Sequence, residues 1–164
     1  MGLSDMQRPA GPATETRATY TDGSSRLVYA TDLEVPFPDG GLIVSRTDLA
    51  GIITHANDAF VLMSGYPREE LIGAPHHILR HPDMPKIAFK GLWDDMAAGK
   101  KWHGYVKNLR KDGAYYWVYA TAVPNIRNGQ IAGYTSVRRK PSRTRIAELV
   151  PVYRQWLDDE KVAS

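Results

Sequence analysis

From residue 42 onward the chain changes hydrophobic rhythm twice. Leu42-Ile43-Val44-Ser45 and Ile52-Ile53-Thr54-His55 are short apolar runs on either side of the turn Asp48-Leu49-Ala50-Gly51, which predicts a β-hairpin. The rhythm then becomes helical. Asn57-Asp58 caps a short helix carrying Phe60, Val61 and Met63, with a stop near Gly65, and Pro67 with Glu69 and Glu70 opens another that stops at Gly73. A further turn of helix is predicted from Pro75 to Leu79. After Pro85, the residues Ile87, Ala88, Leu92, Trp93 and Met96 predict a helix to about Gly99, with Asp83 as its N-cap. Strand character returns in the second half. Trp102 to Leu109, Tyr115 to Thr121 and Gln130 to Arg138 are rich in aromatic and β-branched residues, joined by the turns Asp112-Gly113 and Asn128-Gly129. Pro124 predicts an edge, a bulge or a strand end.

The flanks differ from this middle. Residues 1–25 are polar and turn-rich and are expected to be mobile, while Arg26 to Ala30 reads as a short strand or part of an N-terminal cap. In the tail, Ile146, Leu149, Val150, Tyr153, Trp156 and Leu157 recur at helical spacing, with Ser142 or Thr144 to cap them and Pro151 at a kink or restart. That stripe must be buried on its own sheet or on another chain. The expected division is an N-terminal extension or cap over 1–40, a main domain over 41–140, and a C-terminal amphipathic helix over 141–164. The order of two strands, several short helices and three antiparallel strands is an α+β pattern.

Composition narrows the chemistry. The 164 residues include no cysteine, so disulfides, thiolate metal sites, iron–sulfur clusters and thiol chemistry on a cofactor are excluded. No run of about 18 apolar residues occurs, and no secretory signal core opens the chain, so a cytoplasmic protein without a membrane span is expected. The formal charge of +3 is modest, and no nucleic-acid partner is expected. Arg138, Arg139, Lys140, Arg143 and Arg145 cluster without an acid among them and read as a solvated exit from the domain. No nucleophile–base pair, zinc-type histidine spacing or glycine-rich phosphate loop is present. The densest chemistry is Arg80-His81-Pro82-Asp83-Met84-Pro85, where two prolines stiffen a turn bearing a cation, an imidazole and a carboxylate.

Several of these stretches resemble a known family. Asn57-Asp58-Ala59-Phe60, Ser64-Gly65-Tyr66 and Glu70-Leu71-Ile72-Gly73 resemble the sensory PAS signature. Thr54-His55-Ala56-Asn57-Asp58, the Arg80–Pro85 block, Trp102-His103-Gly104-Tyr105-Val106-Lys107-Asn108 and Tyr116-Trp117-Val118 look like the N-terminal PAS domain of bacterial aerotaxis receptors. The resemblance runs from about Asp48 to Arg139. It implies a PAS fold: a five-stranded antiparallel sheet with short helices on one side, here with an N-terminal extension and the tail helix. It also implies non-covalently bound FAD and redox or oxygen sensing, as in aerotaxis and chemotaxis signal transduction. Aerotaxis receptors continue into a membrane anchor and a methyl-accepting signalling domain, so the sensor is expected to carry over and the output is not.

The resemblance implies the site. Asn108 belongs at the flavin ring, where an amide both donates and accepts. Trp102, and less closely Trp93, can stack near the ring system. Arg80 and His81 can hold the pyrophosphate or adenine side, since a guanidinium recognises phosphate as a fork. Asp83 orients them, Asn57 bonds the cofactor or braces its loop, and Phe89 and Tyr116 are further candidates or plain core. A homodimer and a chemoreceptor or histidine-kinase partner are the expected interactions. The alternatives are a cofactor-free PAS dimerisation module, a haem-binding PAS domain using His76, His77 or His81, and, least of all, a small flavin enzyme.

Overall fold

The computed structural model describes residues 2–163. A two-stranded hairpin, β1 (Thr14–Thr19) and β2 (Ser25–Ala30), precedes β3 (Ile43–Thr47) and β4 (Ile53–Ala56). The helices α1 (Asp58–Ser64) and α2 (Arg68–Leu71) follow, then 3-10 turns at His76–Leu79 and Lys86–Phe89, and α3 (Leu92–Ala97). The strands β5 (Trp102–Leu109), β6 (Tyr115–Arg127) and β7 (Gln130–Arg139) come next, and α4 (Arg143–Ala163) ends the chain. The five main strands form one antiparallel sheet in the order β4-β3-β7-β6-β5.

Strand alternation gives this sheet two faces. Asn108 pairs with Tyr116, Val106 with Val118 and Trp102 with Ala122, and these residues face the short helices. Tyr105, Lys107, Tyr115 and Trp117 belong to the other face. The helical side closes over Ile43, Ile53, Phe60, Leu71, Leu79, Met96 and Val118, all nearly or fully buried. Asn128 (φ 53°) and Gly129 (φ 76°) both take positive φ, as a type I′ hairpin turn requires. Pro124 sits past the last β5 partner of β6, where no ladder donor is needed, and the β6–β7 register shifts at Asn125/Ile126.

Three expectations change. The N-terminal residues are not a mobile leader. Met6 is buried with Val28, Tyr29 and Leu109, and its N–H donates to Leu27 O (2.9 Å) while Asp5 accepts from Leu27 N (2.8 Å). These long-range partners could not be seen in a polar, turn-rich stretch. The predicted helix over 85–99 is two pieces, because Gly91 adopts left-handed φ 83° between them. Asp83 caps neither piece. Its carboxylate takes Lys107 Nζ at 2.8 Å, and Glu160 of α4 supplies the cap to the first piece, accepting from Lys86 N (2.5 Å) and Ile87 N (3.3 Å).

The tail helix folds back on its own sheet. Ser142 Oγ accepts from Arg145 N (3.2 Å) and begins α4, which continues through Pro151. Ile146, Leu149 and Tyr153 bury against Trp117 and Met84, and the Tyr153 hydroxyl donates to Tyr105 O (2.8 Å). Burial of these three side chains contributes on the order of 5 kcal/mol. Most of the apolar stripe is therefore covered within the chain, with Val150 left exposed and Trp156 and Leu157 half-buried. The basic run after Arg138 is exposed, as expected of a solvated exit, and makes surface ion pairs: Lys140 with Asp39, Arg143 with Glu34 and Arg145 with Glu148.

Candidate functional site

A cavity of about 520 Å³ lies between the inner face of β5–β7 and the segment 75–96, within the range of small-molecule sites. Trp102, Val106, Asn108, Ala120 and Ala122 form its sheet wall, and His76, Leu79, Arg80, Met84, Phe89, Leu92 and Trp93 its helical wall. Of the residues assigned to the site from sequence, Arg80, Phe89, Trp93, Trp102 and Asn108 line it together. Asn57, His81, Asp83 and Tyr116 are not among the lining residues. A second cleft of about 580 Å³ between Arg46–Asp48 and the β6–β7 turn is open, with no buried unpartnered polar atom on its walls.

The aromatic walls are built by neighbours. Trp102 lies at the start of β5, and a Cβ placed on Gly104 would fall 2.3 and 2.6 Å from its indole atoms. Gly104, two residues on along the same strand face, thus leaves the space that the indole occupies. Phe89 stacks on Trp102 with centroids 6.2 Å apart, and the Arg80 guanidinium lies 5.3 Å over Phe89. Trp93 stands edge-on to Tyr134 at 5.9 Å and is 60% exposed at the mouth. Tyr20 of the N-terminal hairpin stacks on His77 at 3.8 Å, and Arg26 donates to Ile78 O (2.9 Å), so the hairpin turn with Thr21 and Asp22 borders the same mouth.

Arg80, Lys86, Lys107 and Arg138 are among the residues lining the cavity, with one acidic residue, Asp22. Lys107 is paired with Asp83. Arg138 is different, and the sequence reading missed it by taking it as part of a solvated run. It is 2% exposed, its Nη atoms donate to Ser136 Oγ (2.8 Å) and Ser45 Oγ (3.0 Å), and its charge lies 4.7 Å over Phe60. Its Nε has no partner, and no carboxylate lies within ion-pair distance among the described residues. Burial pulls its pKa down to about 10. The strand period holds the missed signal: Arg138 pairs with Ile43, a core residue, while Arg139 points out.

Asn108 is buried and lines the cavity opposite Tyr116 in register. The Tyr116 hydroxyl is fully buried without a partner in the chain, and burial pushes its pKa up to about 12 against the pull of Arg138, Arg110 and the Asn108 amide. His76 Nε2 sits 3.4 Å from Arg138 Nη1 and 3.3 Å from Ser45 Oγ. His81 is 3% exposed and its Nδ1 accepts from Asp83 N (3.0 Å), away from the cavity.

Both buried rings are held neutral. Desolvation, then the Arg138 charge, lowers His76 to about 3, and its surface opens to the cavity rather than to bulk water. Desolvation, then Lys107, lowers His81 to about 4, with Asp83 opposing. As pH falls below about 6.5 the unfolded chain takes up these protons first. Stability is therefore expected to fall from pH 6.5 towards 4, by up to about 1.4 kcal/mol per pH unit for each ring. Urea unfolding across that window checks this, and a flat profile would mean that the rings are solvated.

Asn57 is fully employed as a brace. Its Oδ1 accepts from Phe60 N (3.0 Å) and Val44 N (3.1 Å), and its Nδ2 donates to Leu42 O (2.9 Å). Asn57→Ala is expected to cost about 1–3 kcal/mol, because it removes a helix cap and strands a β3 donor. Ligand bound per folded molecule should stay at the wild-type level, measured by calorimetry alongside ligand titration.

The topology is that of a sensory α+β domain, and residues 53–138, just over half of the chain, match the PAS fold family, to which the chain belongs. The chain is 48% identical over 126 residues to the aerotaxis receptor of Escherichia coli strain K12, covering 77% of this chain and 25% of that receptor. It thus spans a quarter of that relative's length. Among solved structures, a PAS domain from Colwellia psychrerythraea is 27% identical with TM-score 0.51, over 62% of this chain and 87% of that one. The LOV domain of the blue-light photoreceptor Aureochrome1 is 21% identical with TM-score 0.58, over 67% and 88%, and shares the fold. No helix among the described residues is long and apolar enough to cross a membrane.

Proposed function

We propose that this domain is a cytoplasmic, flavin-binding PAS sensor of redox state or oxygen, holding FAD without turning over a substrate, as the PAS domain of an aerotaxis receptor. The observation that carries the reading is Arg138. A buried guanidinium without a carboxylate, on the wall of an aromatic-lined cavity, is costly unless a polar or anionic ligand group meets it. The buried Asn108 amide on the cavity wall also fits a polar ring edge. Arg138 and Asn108 would face that edge, Trp102 and Phe89 the ring, and Arg80 and Lys86 at the mouth the pyrophosphate.

Bound FAD supplies reversible reduction, with added charge and protons at the ring edge. The chain's part is to read that change. The Asn108 amide can donate or accept, and the Tyr116 hydroxyl offers it an alternative partner inside the protein. One exchanged hydrogen bond contributes about 0.5–1.5 kcal/mol. That biases a two-state equilibrium without throwing it fully, which needs about 5.5 kcal/mol. The output in this reading goes to a chemoreceptor or a histidine kinase. The part of the outer sheet face carrying Val44, Val123 and Val137 and the His103–Tyr119 stack offers a surface for such a partner or for a second copy.

The ligand preference tests the assignment. Apoprotein titrated with FAD, FMN and riboflavin should bind FAD most tightly, and Arg80→Ala should lower the preference for FAD over riboflavin by about tenfold or more. An equal loss for all three ligands would remove the phosphate role of Arg80.

A further inference from the structure

The segment 84–89 has two sides. Met84, Lys86 and Phe89 line the cavity. On the other side Met84 is buried in the cluster formed by Trp117, Ile146, Leu149 and Tyr153, and Ala88 and Phe89 pack against that cluster. The Met84 thioether accepts from Lys107 N (3.3 Å), which ties the segment to β5. At its amino end the segment has unsatisfied backbone donors, as every helical turn does. Two of them, Lys86 N and Ile87 N, are taken by Glu160 from the last turn of α4, 74 and 73 residues away. No side chain of the segment's own N-cap, Pro85, could do this.

Glu160 lies beyond the part of α4 that packs in the core cluster. The helix is anchored as far as Tyr153 and Trp156, whose rings stack at 5.6 Å. Beyond them Asp158, Asp159, Val162 and Ala163 are exposed. The Glu160 carboxylate also attracts the Arg80 guanidinium across the cavity wall. One side chain therefore bridges the tail of the chain to the backbone of the cavity wall.

We infer that Glu160 is a latch coupling the state of the cavity to the docking of the last turns of α4, residues 157–163. This rests on the flavin reading above. A ligand packed on Met84, Lys86 and Phe89 fixes the segment in the conformation that presents its two N–H groups to Glu160, and so holds the tail down. A wall that shifts when the ligand changes loses that alignment and releases the tail. The two arrangements are docked and frayed α4, and the ligand acts through its differential contact with them. Because coupling is reciprocal, the latch must tighten the ligand by the factor with which the ligand tightens the latch.

The test measures amide hydrogen exchange at Lys86, Ile87 and residues 157–163, with and without FAD, in the wild-type chain, Glu160→Ala and Glu160→Gln. FAD affinity is measured in the same three proteins. FAD should slow exchange in both wild-type segments several-fold and leave the tail of Glu160→Ala unprotected. Glu160→Ala should bind FAD about fivefold more weakly, by the same factor as the lost tail protection. Glu160→Gln, which keeps an acceptor oxygen and loses the charge, should fall between. Exchange over 143–153 should be alike in all three, which shows that the rest of α4 remains folded. If FAD binds and the wild-type tail does not respond, or Glu160→Ala binds FAD with wild-type affinity, the latch is overturned. If the wild-type chain binds no FAD at all, the flavin reading itself has failed.

Discussion

Arg138→Met is expected to lower flavin retention sharply and leave a folded protein. The side chain is one of those lining the cavity, held by Ser136, Ser45 and the Phe60 ring, and its charge meets no carboxylate. Methionine keeps an unbranched stem and removes the charge. Two effects oppose each other in the apoprotein: the cost of burying an unpaired cation disappears, and its cation–π contact and hydrogen bonds are lost. Each is on the order of 2 kcal/mol, so apoprotein stability should change little. In the complex only the loss remains. A desolvated charged hydrogen bond to the ligand is worth about 1.5–3 kcal/mol, roughly tenfold to a hundredfold in affinity. Stability by denaturant and flavin content by absorbance together decide the matter. Full flavin occupancy in a folded Arg138→Met protein would show that the guanidinium serves the fold alone.

Gly104→Ala should have an effect of similar size from a single methyl group. The added Cβ would lie 2.3–2.6 Å from the Trp102 indole, so the ring must swing out of its place in the wall. The strand itself should tolerate alanine, which is favoured over glycine there by about 0.5–1 kcal/mol. Loss of an aromatic wall contributes about 1–3 kcal/mol to ligand binding. If Gly104 acts through Trp102, then Gly104→Ala adds little to the loss already caused by Trp102→Ala. Independent, additive losses in that double variant would contradict the role of Gly104 as the space for the indole.

Much of the fold was legible because strand alternation and turn chemistry are local. Asn128-Gly129 and Asp112-Gly113 fall at the two predicted hairpins, and Trp102 to Leu109 is the strand the sequence marks out. The helical region was less legible, because Gly91 breaks the spacing that Ile87 to Met96 suggests. Glu160 as the cap of a segment 74 residues away has no local trace at all. For the site, local motifs brought Arg80, Phe89, Trp93, Trp102 and Asn108 to one cavity. They also marked Asn57, His81 and Asp83, whose hydrogen bonds go to the chain itself, while His81 Nε2 is buried without a partner. A motif does not separate a residue that touches a ligand from one that holds the wall in place. Arg138 was obscured in the opposite way. Its neighbours Arg139 and Lys140 are exposed, so the run reads as solvated until the strand period is applied to each residue.

The central claim is that the cavity between β5–β7 and the segment 75–96 holds FAD. The most direct measurement is release of the bound cofactor from purified protein by heat, followed by chromatography against flavin standards. The account predicts FAD in close to one equivalent per chain, and much less from Arg138→Met purified in the same way. Recovery of haem, or of no cofactor from a protein that also fails to bind added FAD, would contradict it.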